Sequence, residues 1–127
     1  DDVRVEIITG SNLSILEGRR IGELIAGRPP RERPDAIFAA NDLMAIGALQ
    51  AFVMRGTIRV PEDIALLGYD DIDFASGAVV PLTSVRQPAS LIGKTAVDML
   101  LAEAEDGQRP GRQVVFTPEL VVRESTS

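Results

Sequence analysis

Residues 36–73 read AIFAANDLMAIGALQAFVMRGTIRVPEDIALLGYDDID, and this stretch decides the fold of the chain. Its two apolar runs, residues 36–40 and 64–69, predict two strands, and the segment between them predicts a helix that ends at Gly56. Both runs are continuous rather than alternating, which is typical of strands that are covered on both faces in a parallel sheet. The sequence therefore predicts an α/β fold with a parallel sheet.

Polar side chains follow both predicted strands. Asn41 and Asp42 come after the first strand, and Asp70 and Asp71 come after the second. The carboxyl ends of parallel strands are where open α/β sheets bind ligands. One interpretation is local: Asp42 caps the helix and Asn41 turns the chain, since both residue types favour caps and turns. The other is functional: Asn41 offers a donor and an acceptor to a polyhydroxyl ligand, and Asp42 organises the loop. A third polar run ends at Gln87, which is either part of a surface crossover or an amide turned into a cleft.

Two further helices are predicted on either side of this stretch. Ser14 and Glu17 have the spacing of a capping box, and the helix that they begin ends at Gly27. Pro88 suits the first turn of the other helix, which ends by Gly107. The chain between these elements predicts a loop at residues 28–34 and one helical turn or irregular chain at residues 74–81.

Apolar side chains recur at helical spacing in all three helices, so each helix has one face that we expect to be buried. In chain order these faces consist of Leu16, Ile21, Leu24 and Ile25; of Ala45, Leu49, Phe52 and Val53; and of Ile92, Ala96, Met99 and Leu100. Further strands are predicted at residues 3–8, 82–85, 114–116 and 120–122. The whole pattern is β-α-β-α-β, a long connection, and then α, β, β.

The composition bounds the chemistry. At 127 residues the chain has the size of one domain, and its net charge of −6 argues against nucleic-acid binding by this chain itself, because phosphate contacts need clustered Lys and Arg. The absence of Cys and His excludes disulfides, thiolate metal sites and imidazole catalysis. No run approaches the ~18 apolar residues that a membrane span needs. The composition therefore predicts a cytoplasmic protein with no membrane partner. From the sequence as a whole we expect no catalytic residue, no metal and no cofactor.

Two enzyme-like interpretations start from the acidic residues. Asp70, Asp71 and Asp73 offer hard oxygen ligands for Mg²⁺ or Ca²⁺, although the glycine and the terminal glutamate of a calcium loop are missing. A phosphoryl-transfer domain also uses strand-end carboxylates, but it needs a lysine at a later strand end. The only lysine, Lys94, falls inside the last predicted helix. No Gly-x-Ser-x-Gly or Gly-x-Gly-x-x-Gly motif supports a hydrolase or a dinucleotide site.

Four segments stand together in a characteristic order, namely AIFAANDLMAIGAL, RVPEDIALLGYDDID, PLTSVRQP and ELVVREST. They cover most of residues 35–126 and resemble the effector-sensing core of the lactose-repressor/galactose-repressor (LacI/GalR) family of bacterial transcription regulators. The resemblance implies one parallel-sheet, three-layer α/β/α lobe of a type I periplasmic-binding-protein-like domain. It also implies a transcriptional repressor whose effector, a sugar or a related metabolite such as a nucleobase, sits between two lobes and alters the affinity for operator DNA.

The resemblance also assigns roles to individual residues. Asn41 matches a strand-end asparagine that contacts effector, Asp70 matches the first aspartate of an aromatic-Asp-Asp motif, and Gln87 matches a crossover glutamine near the cleft. Leu13 takes a position where many members carry an aromatic platform for a sugar ring, and leucine has no π-face to offer. The homodimer contacts of this lobe would be made by Ile46, Ala78, Val79 and Val80.

Much of the family's architecture lies outside this sequence. The chain begins with Asp1 rather than Met and contains no helix-turn-helix head, so we expect a fragment whose contact with operator DNA requires a separate head. Residues 1–86 and 114–127 correspond to the second lobe, and the helix at residues 89–106 corresponds to the first. We expect that helix to dock on a neighbouring chain or to be poorly ordered. The fragment alone is expected to bind effector weakly.

Two other functions remain open. A sugar-binding protein of a transport system has the same fold, and a Mg²⁺-dependent phosphoryl-transfer enzyme uses carboxylates at the same edge of a sheet. The segments ELVVREST and GYDDID are more similar to the repressor branch.

Overall fold

The computed structural model describes residues 3–106 and 111–127. These residues form four α-helices and four strands, with a short 3₁₀ turn at Pro30–Glu32. In chain order the elements are α1 (Ile15–Ala26), β1 (Ala36–Phe38), α2 (Asp42–Arg55), β2 (Ala65–Tyr69), α3 (Asp73–Ser76), β3 (Thr83–Arg86), α4 (Ala89–Asp106) and β4 (Glu119–Val121). The single turn of α3 agrees with the prediction for residues 74–81.

The four strands form one sheet in the order β1-β2-β3-β4. The first three strands are parallel, whereas β4 runs antiparallel to β3 and places Glu119 opposite Arg86. The predicted α/β fold with a parallel sheet is confirmed. The antiparallel direction of the edge strand β4 was not predicted. After leaving β3 and passing through α4, the chain returns to pair with β3 again.

Two of the predicted strands are not formed. Residues 3–8 and 114–116 have no strand pairing, and the apolar side chains at positions 3, 5 and 7 are at least 77% exposed. A strand needs a neighbour to satisfy its N–H and C=O groups, and these two segments pair with none of the four strands, although the outer sides of β1 and β4 are open. Glu6 instead pairs with Arg28, at 2.7 Å between Oε1 and Nη2.

The start of α1 follows half of the predicted capping box. Ser14 Oγ accepts a hydrogen bond from the Glu17 amide at 3.2 Å, as the box requires. The Glu17 carboxylate, however, accepts from the Ser11 amide at 2.9 Å rather than from Ser14. It therefore fixes the loop that precedes the helix. The predicted cap Gly27 follows the last residue of α1.

Helices α1 and α2 cross where two glycines let their backbones approach. A Cβ atom on Gly18 would overlap the backbone of Met44, and a Cβ atom on Gly47 would overlap the backbone of Ile15. No side chain fits at either glycine without moving one helix away from the other. The two helices therefore form one closely packed unit.

The buried core lies between α1, α2 and the sheet. Its two clusters consist of Ile21, Ile25, Ala26, Ala48, Phe52, Ile58 and Ile64, and of Ala45, Leu49, Leu66, Ala75 and Leu82. The predicted inward positions are correct for the members named here and wrong for Leu16, Leu24 and Val53, which are 48–76% exposed. A third glycine at the α1–α2 contact, Gly22 of α1, also faces α2, since a Cβ atom there would overlap the backbone of Ala48. Leu16 stands two residues from Gly18 and Leu24 two residues from Gly22, which places both leucines on the opposite side of the helix.

Helix α4 extends over 18 residues and makes at most slight contact with the other helices and strands. On its predicted inward face, Ile92 and Met99 are half-buried, whereas Ala96 and Leu100 are exposed because no sheet covers them. The prediction of a helix is confirmed, and its predicted end at Gly107 lies outside the described residues. Among the helices that the structure describes, none is both long and apolar enough to cross a membrane.

Candidate functional site

The candidate site lies at the carboxyl edge of the three parallel strands. Asn41 follows β1 and begins α2, Asp70 directly follows β2, and Gln87 directly follows β3. Parallel strands end on the same side of a sheet, so these three residues stand at one edge. The predicted placement of these residues at one edge of the sheet is confirmed.

Asn41 is the N-cap of α2, a role that the local interpretation gave to Asp42. Its Oδ1 accepts from the Met44 amide at 2.9 Å, and its Nδ2 donates to the Leu13 carbonyl at 3.1 Å. The prediction that Asp42 caps the helix is wrong, because Asp42 is already the first helical residue. Asn41 thus ties the loop before α1 to the edge of the sheet.

Leu13 lies beside Asn41, with its side chain 59% exposed. The contact between the two residues runs through the Leu13 carbonyl, so the leucine side chain is free to face solvent or a ligand. It offers an apolar surface without a ring. The structure therefore brings together Leu13 and Asn41 as one pair of predicted site residues.

Asp70 and Gln87 form the second pair. Gln87 Nε2 donates to Asp70 Oδ1 at 3.1 Å, in a contact that joins the ends of β2 and β3. Asp70 is exposed and Gln87 is half-buried. Asp70 Oδ2 and Gln87 Oε1 have no hydrogen-bond partner among the described residues, so both oxygens are available as acceptors for hydroxyl or amine donors.

Asp42 is fully buried beneath this edge. Its Oδ1 accepts from Ser84 Oγ at 2.6 Å, and its Oδ2 accepts from the Ile72 amide at 2.9 Å. Burial raises the pKa of Asp42 above its usual value, and the hydrogen bonds from Ser84 and Ile72 oppose that shift. Gly68 makes room for it, since a Cβ atom there would overlap the Asp42 carboxylate. The predicted role of Asp42 in organising the loop agrees with these contacts.

Asp71 belongs to an ion cluster that the sequence analysis missed. Its side chain is 5% exposed, and its Oδ2 accepts from Arg86 Nε at 2.7 Å. Its Oδ1 lies 2.7 Å from Arg123 Nη1, close enough for an ion pair but not aligned as a hydrogen bond. Burial would raise the pKa of Asp71, but the two guanidinium groups outweigh burial and lower it. The segment ELVVREST contains Arg123, and nothing local in that segment indicates its partner.

The acidic residues do not gather as the enzyme-like interpretations require. Among residues 3–106 and 111–127, no three acidic side chains stand close enough together to hold a metal ion. The Asp71 carboxylate is already engaged by two arginines. Lys94 lies in α4 and pairs with Asp98 of the same helix at 2.7 Å.

Three of the four residues predicted to form dimer contacts, Ile46, Ala78 and Val79, line an apolar groove between α2 and the segment after α3, and Val80 follows directly in the chain. Ile46, Ala78 and Val80 are half-buried, and Val79 is 69% exposed. The groove has a volume of about 390 Å³ and is lined by Ile15, Leu43, Ile46, Leu49, Gln50, Phe74, Gly77, Ala78 and Val79. Its lining contains one polar side chain, Gln50.

Known proteins with similar sequences and structures point to one family. The family model of the periplasmic binding protein-like domain matches residues 3–126. The HTH-type transcriptional repressor PurR of Photobacterium profundum is 42% identical over 95 residues, which are 75% of this chain and 28% of the relative. The chain therefore spans little more than a quarter of the length of this curated relative.

Solved structures of transcriptional regulators are also similar to this chain. The complex of the transcriptional regulator CelR with cellobiose is similar at a TM-score of 0.81 and 36% identity, covering 90% of this chain and 34% of that one. The lac repressor dimer bound to operator and the anti-inducer ONPF is similar at a TM-score of 0.77 and 34% identity, covering 89% of this chain and 38% of that one.

Proposed function

The chain belongs to the periplasmic binding protein-like domain family, and from this we propose that it is the effector-sensing part of a LacI-type transcriptional repressor. Its named relatives are transcriptional repressors, and they are much longer than this chain. In the full-length protein, a small sugar-like effector binds at the edge formed by Asn41, Asp70 and Gln87, beside Leu13. Effector binding then alters the affinity of a separate DNA-binding head for its operator.

One observation carries this proposal, namely the hydrogen bond between Asp70 and Gln87 at the carboxyl edge of the sheet. It holds an exposed carboxylate and a half-buried amide in a fixed relation, each with one oxygen still available. Sugar hydroxyls both donate and accept hydrogen bonds, and such a pair of convergent polar groups is typical of a site for a small polar ligand. The CelR structure contains cellobiose, which supports a sugar as the class of ligand.

We propose a sensor without catalytic activity. The relatives are repressors, and the carboxylates of Asp42 and Asp71 are engaged in structural contacts rather than gathered with Asp70 around one point. Repressors act on DNA inside the cell, so the proposed location is the cytoplasm.

The proposed lobe boundaries follow the path of the chain. Residues 1–86 and 114–127 belong to the second lobe, and α4 belongs to the first. This division is supported by the position of α4, which follows β3 and does not pack on the sheet. Four of its apolar side chains are at least 50% exposed, namely Leu91, Val97, Leu100 and Leu101. Burying such side chains against another part of the protein would stabilise it by roughly 1.5–3 kcal/mol each.

The apolar groove supports the proposed homodimer. Monomeric proteins seldom expose large contiguous apolar surfaces unless a partner covers them. Val79 and Phe74 are 69% and 74% exposed at the border of the groove, where a second copy would cover them. The lac repressor structure is that of a dimer, which is consistent with this arrangement.

Calorimetry of the full-length protein tests the proposal. Ribose, glucose, cellobiose, sucrose and adenine are titrated into the parent protein, into Asp70→Ala and into Glu62→Ala, an exposed carboxylate at the opposite edge of the sheet. A hydrogen bond to a charged group contributes about 1.5–3 kcal/mol, so Asp70→Ala should weaken the best ligand roughly 10- to 100-fold. Glu62→Ala should bind like the parent. Equal affinity of Asp70→Ala and the parent would contradict the site.

A further inference from the structure

The backbone between Asp70 and Asp71 has a conformation that ordinary residues seldom adopt. The φ angle is 101° at Asp70 and 50° at Asp71, so two successive non-glycine residues have positive φ. Aspartate tolerates the left-handed region better than most residues, but the φ of Asp70 lies well beyond it. Backbone of this kind persists only where the surrounding structure determines it.

Four hydrogen bonds surround this turn, and three of them involve Asp42 or Ser84. The Ile72 amide donates to Asp42 Oδ2 at 2.9 Å. The Asp71 amide donates to Ser84 Oγ at 3.0 Å, and the same hydroxyl donates to Asp42 Oδ1 at 2.6 Å. The Asp70 amide donates to the Val85 carbonyl at 2.9 Å. The amides of Asp70, Asp71 and Ile72 therefore all donate hydrogen bonds to acceptors in α2 or β3.

We propose that Asp42 and Ser84 are the positioning residues of the site, which hold the turn so that the Asp70 carboxylate faces the effector. This inference rests on the proposed function, in which Asp70 contacts the effector. Asp42 suits the task because both of its oxygens accept from donors on separate segments. Ser84 suits it because one hydroxyl can accept from the Asp71 amide while it donates to Asp42. Neither side chain needs to touch the ligand.

The inference predicts a graded pattern that a general loss of stability would not give. Ser84→Ala removes the acceptor of the Asp71 amide and leaves the bond between Asp42 and Ile72. Asp42→Ala removes the acceptor of the Ile72 amide as well as the partner of Ser84. Phe52→Leu, in the same helix as Asp42 but fully buried away from the turn, serves as a control that weakens the core alone.

Native-state hydrogen exchange of the 127-residue chain, followed by NMR, measures these amides one by one. Each rate is compared with that of the Leu66 amide, which donates to the Ser125 carbonyl in the sheet. In Ser84→Ala, exchange of the Asp71 amide should be at least 10-fold faster relative to Leu66. In Asp42→Ala the Asp71 and Ile72 amides should both be faster relative to Leu66, and in Phe52→Leu neither amide should become faster relative to Leu66. If Asp42→Ala does not fold, Ser84→Ala alone decides.

A titration of the full-length protein with the one of the five probe ligands that the parent binds most tightly separates this inference from the proposed function. Ser84→Ala should bind that ligand at least 10-fold more weakly than the parent and show the faster Asp71 exchange. Unchanged exchange ratios in Ser84→Ala, or faster exchange with unchanged affinity for that ligand, would overturn the positioning role even if Asp70→Ala abolishes binding. Failure of all five probe ligands to bind the parent would instead overturn the proposed function, while the exchange ratios would still decide whether Asp42 and Ser84 hold the turn.

Discussion

Ser125 and Leu66 are joined by two hydrogen bonds, in which the Leu66 amide donates to the Ser125 carbonyl at 2.8 Å and Ser125 Oγ donates to the Leu66 carbonyl at 2.6 Å. The same hydroxyl accepts from the Thr83 amide at 2.8 Å. Ser125 is fully buried, so one side chain links β2 and β3 to the segment after β4.

We expect Ser125→Ala to destabilise the chain by roughly 1–3 kcal/mol, because it leaves a buried amide of Thr83 without its acceptor. Urea unfolding followed by circular dichroism measures this change. Ser127→Ala is the matched control, since it removes an exposed hydroxyl that donates to the Arg123 carbonyl. Equal stability of the two variants would show that the Ser125 hydroxyl is replaceable.

Alanine should act in opposite directions at two helical glycines. Gly47→Ala should destabilise the chain, because the new Cβ atom would overlap the backbone of α1 near Ile15. Gly93→Ala, in α4, meets no atom within 4 Å and should stabilise the chain or leave it unchanged, with a gain of up to about 1 kcal/mol from helix propensity. Thermal unfolding of both variants measures the difference. A neutral Gly47→Ala would mean that α1 and α2 can separate at little cost.

Glu17 should make the chain sensitive to acid. A side-chain hydrogen bond from Arg20 and a backbone hydrogen bond from Ser11 lower the pKa of Glu17 from its usual 4.5 to about 2. As the pH falls from about 4.5 toward 2, the unfolded chain takes up this proton before the folded chain, so the free energy of unfolding decreases. Stability contributed by Glu17 is therefore present above about pH 4.5 and is lost below it.

Glu17→Gln should accordingly flatten the acid side of the stability curve, measured by urea unfolding at a series of pH values. Asp63, whose pKa is also lowered to about 2 by a hydrogen bond from Arg59, keeps part of the slope in the parent and in the variant. Glu23→Gln, on the exposed side of the same helix, is the control. An unchanged slope in Glu17→Gln would contradict the assignment.

A charge in the groove should separate the proposed dimer. Val79→Glu places a carboxylate where a second copy would exclude water, and an unpaired buried charge is strongly unfavourable. We expect the dimer dissociation constant of the full-length protein to rise at least 10-fold, as measured by analytical ultracentrifugation. Val53→Glu, on an exposed part of α2 outside the groove, should leave the constant unchanged. The same sedimentation for both variants and the parent would place the dimer contact elsewhere.

The environment of α4 should depend on the rest of the protein. In the 127-residue chain, Leu100→Gln and Leu101→Gln should change the free energy of unfolding by less than about 0.5 kcal/mol, because both side chains are more than half exposed. In the full-length protein, each substitution should cost roughly 1.5–3 kcal/mol if the first lobe covers α4. Urea unfolding of both lengths measures the contrast, with Glu105→Gln as an exposed control. Equal effects in the two lengths would contradict the proposed lobe boundaries.

Sequence reasoning located the edge of the sheet but not what supports it. The positions of Asn41 and Asp70 were predictable because each follows a strand whose apolar run is visible locally, whereas Gln87 ends a polar run just before Pro88. The choice between Asn41 and Asp42 as helix cap was not, since both residue types cap helices equally well. Only the folded chain shows that Gly68 leaves space for the Asp42 carboxylate. The partnership of Asp71 and Arg123 joins distant segments, and no local spacing indicates it.

The missing strand at residues 3–8 shows a second limit of sequence patterns. β-Branched composition indicates that a segment suits a sheet, but a strand forms only where a neighbour offers its N–H and C=O groups. Helix α1 shows a similar limit. The spacing of Leu16 and Leu24 predicted a buried apolar face, but the face of α1 that packs against α2 contains glycines, and both leucines are exposed.

Because β3 and β4 pair in antiparallel direction, we expect that the segment between them, residues 87–118, can be deleted without loss of the sheet. Arg86 and Glu119 face each other in register, as the two residues that flank a tight hairpin turn do. An Asn-Gly linker in place of residues 87–118 would join these positions directly and retain all four strands with the Asp71 ion cluster. Such a shortened chain would lack Gln87 and α4 but keep Asn41 and Asp70. It would be a small scaffold onto which other loops could be grafted to rebuild the proposed binding edge.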